Sequence, residues 1–109
     1  MKAGELDRRI TIQTAHTTPN ELNEPVETWV KLTTVWAKKT DVSDRERISA
    51  AEVSAEITTR FLIRWSNRVS QVSPKDRILF DGKIYDIFSV KEVGRREGIE
   101  ISAAAKADQ

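Results

Sequence analysis

Hydrophobic and polar residues alternate along much of the chain with a period of two. Near the N-terminus Leu6, Ile10 and Ile12 share one parity, and mostly polar side chains occupy the other. This period is typical of a strand with one buried face. The same period, together with β-branched and aromatic content, predicts strands at residues 6–14, 26–32, 35–42, 57–65, 77–80, 83–93 and 99–105.

Turn-forming residues separate these strands. The stretch from His16 to Pro25 is polar and contains two prolines and two asparagines, which indicates a hairpin loop or a longer excursion. Asp81-Gly82 lies between two apolar runs and predicts a two-residue type I′ hairpin, because both central residues of that turn need positive φ. The parity shifts around Thr33 and Thr34, which predicts a bulge or bend between two halves of one strand.

A long polar insertion, at about residues 40–56, interrupts the strand pattern. Ser43-Asp44-Arg45-Glu46 fits a capping box, and Ile48, Ala51 and Ala55 follow at helical spacing. A short helix over residues 43–53 is therefore predicted, although the segment is also compatible with a loop that orders only on assembly. The fold class predicted is all-β: a single domain over residues 1–109, with a six-stranded barrel or sandwich and this insertion.

Composition narrows the possible functions. The 109 residues suit one domain, with 39% hydrophobic and 32% charged residues, a net charge of +1 and no cysteine. Balanced charge argues against tight binding of nucleic acid through phosphates. The absence of cysteine excludes disulfides and thiolate chemistry. No apolar run is long enough to span a membrane, and the N-terminus does not resemble a signal peptide, so we expect a cytoplasmic origin.

The sequence predicts no catalytic, cofactor-binding or metal-binding residues. The single histidine, His16, lies in a polar stretch and is expected to be solvated. The acidic residues of the insertion alternate with Arg45 and Arg47, which favours a salt-bridged segment over a calcium site. Three tryptophans could stack on bases, but their strand setting favours packing in the core and rim of a barrel: Trp29, Trp36 and Trp65.

Charge is unevenly distributed in two places. A candidate basic face for subunit docking comprises Arg60, Arg64 and Arg68, and a candidate acidic loop carries Glu21, Glu24 and Glu27. A solvated basic face or a DNA-facing patch are the alternatives for the arginines. Our hypothesis is that the acidic loop of one subunit meets the basic face of its neighbour.

Taken in order, several motifs resemble the tailed-bacteriophage head–tail joining family. They include the opening from Gly4 to Ile12, the Trp29 and Trp36-Ala37 pair, the strand from Phe61 to Trp65, the run from Arg77 to Ile87, and the closing Arg95-Arg96 with residues 99–102. The resemblance covers nearly the whole chain. It implies a small β-barrel that assembles as a ring between portal and tail, through which DNA passes and is in some members retained.

The same resemblance implies the site and the partners. The insertion would face the channel or the adjacent ring through Lys38, Lys39, Asp41, Asp44, Arg45, Glu46 and Arg47. We therefore expect a structural virion protein at the head–tail interface, present in the host cytoplasm before assembly, and not an enzyme. Its expected partners are portal or adaptor rings, tail proteins, copies of itself and non-specifically contacted double-stranded DNA, with no cofactor and no membrane.

Two other functions fit the same pattern. One is a small barrel that binds single-stranded nucleic acid, and the other is a tail-end completion protein. The sequence leaves open the ring stoichiometry, the choice between stopper and adaptor, and the phage or host of origin.

Overall fold

A computed structural model describes residues 3–42 and 59–106 of the chain. The described strands are Arg8–Pro19 (β1), Pro25–Asp41 (β2), Thr59–Arg64 (β3), Arg77–Phe80 (β4), Lys83–Val93 (β5) and Gly98–Ala105 (β6), with 3-10 turns at Ala3–Glu5 and Val69–Gln71. These six antiparallel strands close into a barrel in the order β1-β2-β3-β6-β5-β4, which confirms the all-β prediction. The helix predicted over residues 43–53 lies outside the described residues.

The barrel interior is filled by alternate side chains of every strand. Phe61 is fully buried, and its ring meets Tyr85 edge-on at 5.2 Å and Phe80 at 6.0 Å between centroids. These contacts join β3 to β4 and β5 across the interior, and edge-to-face packing of this kind stabilises aromatic clusters. Among the described residues, the other fully buried large side chains are Ile10, Ile12, Ile63, Val69, Ile78 and Ile101.

The hairpin of β1 and β2 is longer than the sequence predicts. Pairing continues to Pro19 opposite Pro25, so the predicted loop from His16 to Pro25 is wrong outside residues 20–24. Both faces of this part of the hairpin are largely exposed and carry hydroxyl and charged side chains. Hydrophobic and polar residues therefore do not alternate there, and the pairing cannot be detected from the hydrophobicity pattern. β1 pairs with β4 only from Thr11 to Gln13. We call residues 14–31, beyond that pairing, the hairpin arm.

A bulge divides β2 where the barrel meets the hairpin arm. Ile12 pairs with Thr33 and Gln13 with Lys31, so Leu32 is the extra residue. The bulge predicted around Thr33 and Thr34 therefore exists, displaced slightly toward the N-terminus. An extra residue exchanges the two faces of the strand between odd- and even-numbered positions. Val26 and Val30 therefore lie on the same face of β2 as Val35 and Ala37, the face that points into the barrel.

The β4–β5 turn has the predicted geometry. Asp81 and Gly82 have φ of 53° and 75°, as a type I′ turn requires. No described residue belongs to a helix long and apolar enough to span a membrane.

Replacing Gly82 with alanine is expected to lower the free energy of unfolding by about 1 kcal/mol, because a Cβ is disfavoured at positive φ. Urea unfolding measures the change. Gly4→Ala is the matched control, since Gly4 has no positive φ and nothing lies within 4 Å of a Cβ built there. Equal losses in both variants would contradict a conformational role for Gly82.

Candidate assembly surfaces

The surface of the described residues has two features that suit contact with another chain. Among residues 3–42 and 59–106 no three His, Cys, Asp or Glu side chains are grouped so that they could hold a metal. His16 is exposed on the hairpin arm, opposite Thr28. Two features stand out instead: the turn at the end of the hairpin arm and a groove lined by two tryptophans.

The turn at residues 20–24, which we call the arm tip, is closed by its own hydrogen bonds. Asn20 Oδ1 accepts from the backbone N–H groups of Leu22 and Glu24, both at 2.9 Å. The backbone N–H of Asn20 donates to the Glu24 carbonyl at 2.9 Å, and Asn23 N–H donates to the Asn20 carbonyl. Asn23 has φ of 60°, a conformation that asparagine tolerates. The arm tip is therefore a defined turn.

This turn presents an apolar side chain to solvent. Leu22 is 77% exposed, the highest value among the exposed large hydrophobic residues described. Glu21 and Glu24 are exposed on either side of it. Glu27, the third residue of the predicted acidic loop, lies in β2 opposite Thr17 and belongs to the arm's strand instead of its turn. The predicted acidic loop is thus an acidic tip centred on leucine, with Glu27 further along the arm.

The tryptophan groove lies where β2 separates from the segment that follows β3. β2 pairs with β3 only from Ala37 onward. Before Ala37, a cavity of about 700 Å³ opens between β2 and the segment that follows β3. Arg68 Nη1 donates to the Leu32 carbonyl at 3.3 Å and links the two segments beyond the groove. The groove is lined by Leu6, Arg9, Thr34, Val35, Trp36, Arg64, Trp65 and Ser66.

Arginines cover the faces of all three tryptophans. The guanidinium carbon of Arg9 lies 5.0 Å from the Trp36 ring centroid, and that of Arg96 lies 5.0 Å from Trp65. Such contacts stabilise a partly exposed indole. Trp36 is 51% exposed, whereas Trp65 packs against the core. The sequence predicts that the tryptophans pack in the core and rim of the barrel. They pack at the rim only, because none of the three belongs to the buried core.

Trp29 is held by the third arginine at the base of the hairpin arm. The Arg77 guanidinium carbon lies 4.1 Å from the Trp29 ring centroid. Arg77 Nε also donates to Gln13 Oε1 at 2.7 Å. One side chain of β4 therefore connects both strands of the hairpin to the barrel.

Replacing Arg77 with lysine is expected to lower the free energy of unfolding by about 1 kcal/mol, because lysine keeps the charge but not the planar contact. Hydrogen exchange should quicken in residues 14–19 more than in β6. Arg95→Lys, at an exposed turn position, is the control and should change neither value. Unchanged exchange in the arm would contradict this account of its attachment.

The predicted basic face is divided in the structure. Arg60 Nε lies 4.0 Å from Glu100 Oε1 on the neighbouring strand β6, so part of its charge is compensated within the chain. Arg64 is exposed and lines the tryptophan groove. Arg68 is exposed and bonds to β2, as described above. Arg64 and Arg68 therefore remain near the groove, while Arg60 lies further along β3.

The insertion is described only at its edges. Lys38 is exposed, and Lys39 Nζ donates to Asp41 Oδ1 at 2.8 Å, an ion pair at the end of β2. Asp44, Arg45, Glu46 and Arg47 lie outside the described residues. Asp41 pairs with Thr59 across β2 and β3. The insertion therefore leaves and rejoins the barrel at adjacent positions.

Sequence reasoning missed Leu22 and the tryptophan groove. A lone leucine between acidic residues in a polar loop was the available signal for the arm tip. The groove had no comparable signal, since Arg9, Trp36 and Arg64 are distant in the sequence and meet only through the pairing of three strands.

Comparisons with known proteins address the family directly. A family model described as phage head completion protein matches residues 1–106. The solution structure of protein SF1141 from Shigella flexneri 2a is similar over 100% of both chains, with 30% identity and a TM-score of 0.82. A chain in the virion of a native gene transfer agent particle has 17% identity and a TM-score of 0.59, with 90% of this chain and 92% of that chain covered. No curated protein sequence matches the chain.

Proposed function

Because the chain belongs to the phage head completion protein family, a family of structural virion proteins, we propose that it forms a ring between the portal and the tail. In that position it joins head to tail and closes the channel to retain packaged DNA. The family match over residues 1–106 carries this proposal. The fold shared with a chain of a gene transfer agent virion supports it.

The near-neutral net charge of the chain suits a subunit that lines a DNA channel. A subunit that lines a DNA channel must let DNA slide, so tight phosphate binding would be a disadvantage. The net charge is +1, and the described edge of the insertion mixes Lys38 and Lys39 with Asp41. Mixed charge gives weak, non-specific contact with a passing duplex.

The hairpin arm and the insertion are connected to opposite ends of β2. The hairpin arm lies at the Pro25 end, and the insertion begins after Asp41 at the other end. Under the proposal, the arm contacts neighbouring subunits, and the insertion reaches the channel or the adjacent ring. Each contact is then made without disturbing the barrel between them.

Loss of the protein from a producing strain tests this function. We expect heads that lack tails and have lost their packaged DNA to accumulate, with a fall in infectious particles that the wild-type gene restores in trans. Electron microscopy and DNA content of the purified particles provide the measurement. Normally tailed, infectious particles made without the protein would contradict the proposed role.

Binding of single-stranded nucleic acid is the second candidate function, favoured by one observation. Trp36 is half exposed beside arginines, as a stacking surface would be. Titration with an oligonucleotide while tryptophan fluorescence is measured separates the two functions. The connector role predicts weak quenching at physiological salt, and strong quenching that disappears as salt rises would favour the nucleic-acid-binding barrel.

A further inference from the structure

We propose that the arm tip of one copy docks into the tryptophan groove of the next copy. Leu22 enters between Trp36 and Trp65, and the carboxylates of Glu21 and Glu24 face the guanidinium groups of Arg9 and Arg64. This inference rests on the proposed function, which places the copies in a ring. It adds to that function the surfaces through which neighbouring subunits meet.

The contact must join different copies of the chain. The arm tip directly precedes β2, and the eleven residue steps of that strand from Pro25 to Trp36 separate the tip from the groove. An extended strand rises about 3.3 Å per residue, so the two features lie roughly 36 Å apart. A tip cannot fold back onto its own groove across that distance, because the paired strand β1 stiffens the arm.

The arm tip is preorganised for binding. The hydrogen bonds of Asn20 hold the turn closed, so little conformational freedom is lost when it binds. Leu22 stands 77% exposed at the end of this turn. An apolar side chain held in water by a defined turn gains from burial in an apolar groove.

The tryptophan groove is complementary to the arm tip in polarity and charge. Its apolar surface comes from Leu6, Val35 and the two indoles, which suits one leucine side chain. Arg9 is the cross-strand partner of Trp36, and Arg64 lies on the other side of that tryptophan, one step beyond the pair of Ala37 with Ile63. Among the described residues that line the groove there is no carboxylate. The only charged side chains described at the groove are therefore positive, opposite in sign to the acidic flanks of Leu22.

The symmetry of the contact matches a ring. The arm tip and the groove are different surfaces, so the contact is heterologous and repeats from copy to copy in one direction. Such a series closes into a ring when the rotation between copies permits. One small contact per pair gives a weak association in solution, and closure of the ring would strengthen it by adding a second contact to every copy.

Thiol cross-linking tests the contact, because the chain has no cysteine of its own. Glu21→Cys protein is mixed with Thr34→Cys protein and oxidised, and the rate of heterodimer formation is followed on non-reducing gels. We expect a rate about tenfold above that of Glu21→Cys with Phe88→Cys, because docking raises the local concentration of the paired thiols. Phe88 is the control position: it is exposed and lies on β5, across the barrel from β2.

Two further variants identify the contact. Leu22→Ser added to the Glu21→Cys protein should reduce the rate to that of the Phe88 control, and Arg64→Glu added to the Thr34→Cys protein should also lower it. A rate equal to the Phe88 control at the start, or one that Leu22→Ser leaves unchanged, would overturn the proposal. These rates are measured on purified protein, so a negative result leaves the function to be tested separately in the strain that lacks the gene.

Discussion

Phe61→Ala protein is expected to unfold with a free energy about 3–5 kcal/mol lower than that of the wild type, the largest loss expected from any single substitution proposed here. Phe61 is fully buried and its ring contacts Tyr85 and Phe80 on two other strands. Alanine would leave a cavity at the point where β3, β4 and β5 meet. Urea unfolding, followed by circular dichroism, measures the loss.

The control for this prediction is Phe88→Ala. Phe88 is 42% exposed and is the extra residue of the bulge in β5, so its removal creates no interior cavity. We expect a change below about 1 kcal/mol for that variant. Domains of this kind are stable by only about 5–15 kcal/mol. Phe61→Ala should therefore also reduce the yield of completed particles, and equal losses in the two variants would contradict the assignment of the core.

Shortening the insertion is the second prediction with a large effect. If residues 43–53 are replaced by a short Gly-Ser linker, the barrel should remain folded, because Asp41 and Thr59 are already paired across the point of departure. Particles should still acquire tails, since the hairpin arm and the tryptophan groove are unchanged. The proposed closing role predicts that these particles lose their DNA.

DNA content and tail attachment, counted in the same preparation, measure this outcome. Urea unfolding of the shortened protein is the control, and its free energy of unfolding should match the wild type to within about 1 kcal/mol. Filled, tailed particles that retain their DNA would exclude a closing role for the insertion. Loss of tails together with DNA would instead assign the insertion to head–tail joining.

The barrel could be predicted from sequence because its signals are local. Leu6, Ile10 and Ile12 have the period of a half-buried strand, and Asp81-Gly82 has the composition of one specific turn. The hairpin arm could be predicted only in part, because the β-branched and aromatic residues at 26–32 indicate a strand. The partner residues 16–19 are exposed and carry no large hydrophobic side chain, so their pairing leaves no alternation of hydrophobic residues to detect.

The candidate surfaces depend on contacts between distant residues. Counting charges along the sequence groups Arg60 with Arg64, but the pairing of β3 with β6 brings Glu100 close to Arg60. The same pairing of distant strands places Arg9 beside Trp36 and creates the groove. Sequence reasoning therefore identified Arg60 and Arg64 but not Arg9, and the strand order was needed to decide which arginines lie beside the groove.

The long strand β2 connects the proposed roles. Its first residues form the arm that we propose contacts a neighbouring copy, its centre lines the groove that receives the neighbour's tip, and its last residues lead into the insertion. The bulge at Leu32 allows one strand to serve both the barrel and the arm, since it changes the pairing register between them.

A cryo-electron microscopy reconstruction of the head–tail junction in purified particles tests the central claim most directly. The account predicts a ring of six-stranded barrels between portal and tail, with each hairpin arm directed at a neighbouring copy and each insertion directed at the channel or the adjacent ring. Barrels found at the tail end, on the outer capsid surface or nowhere in the particle would contradict it.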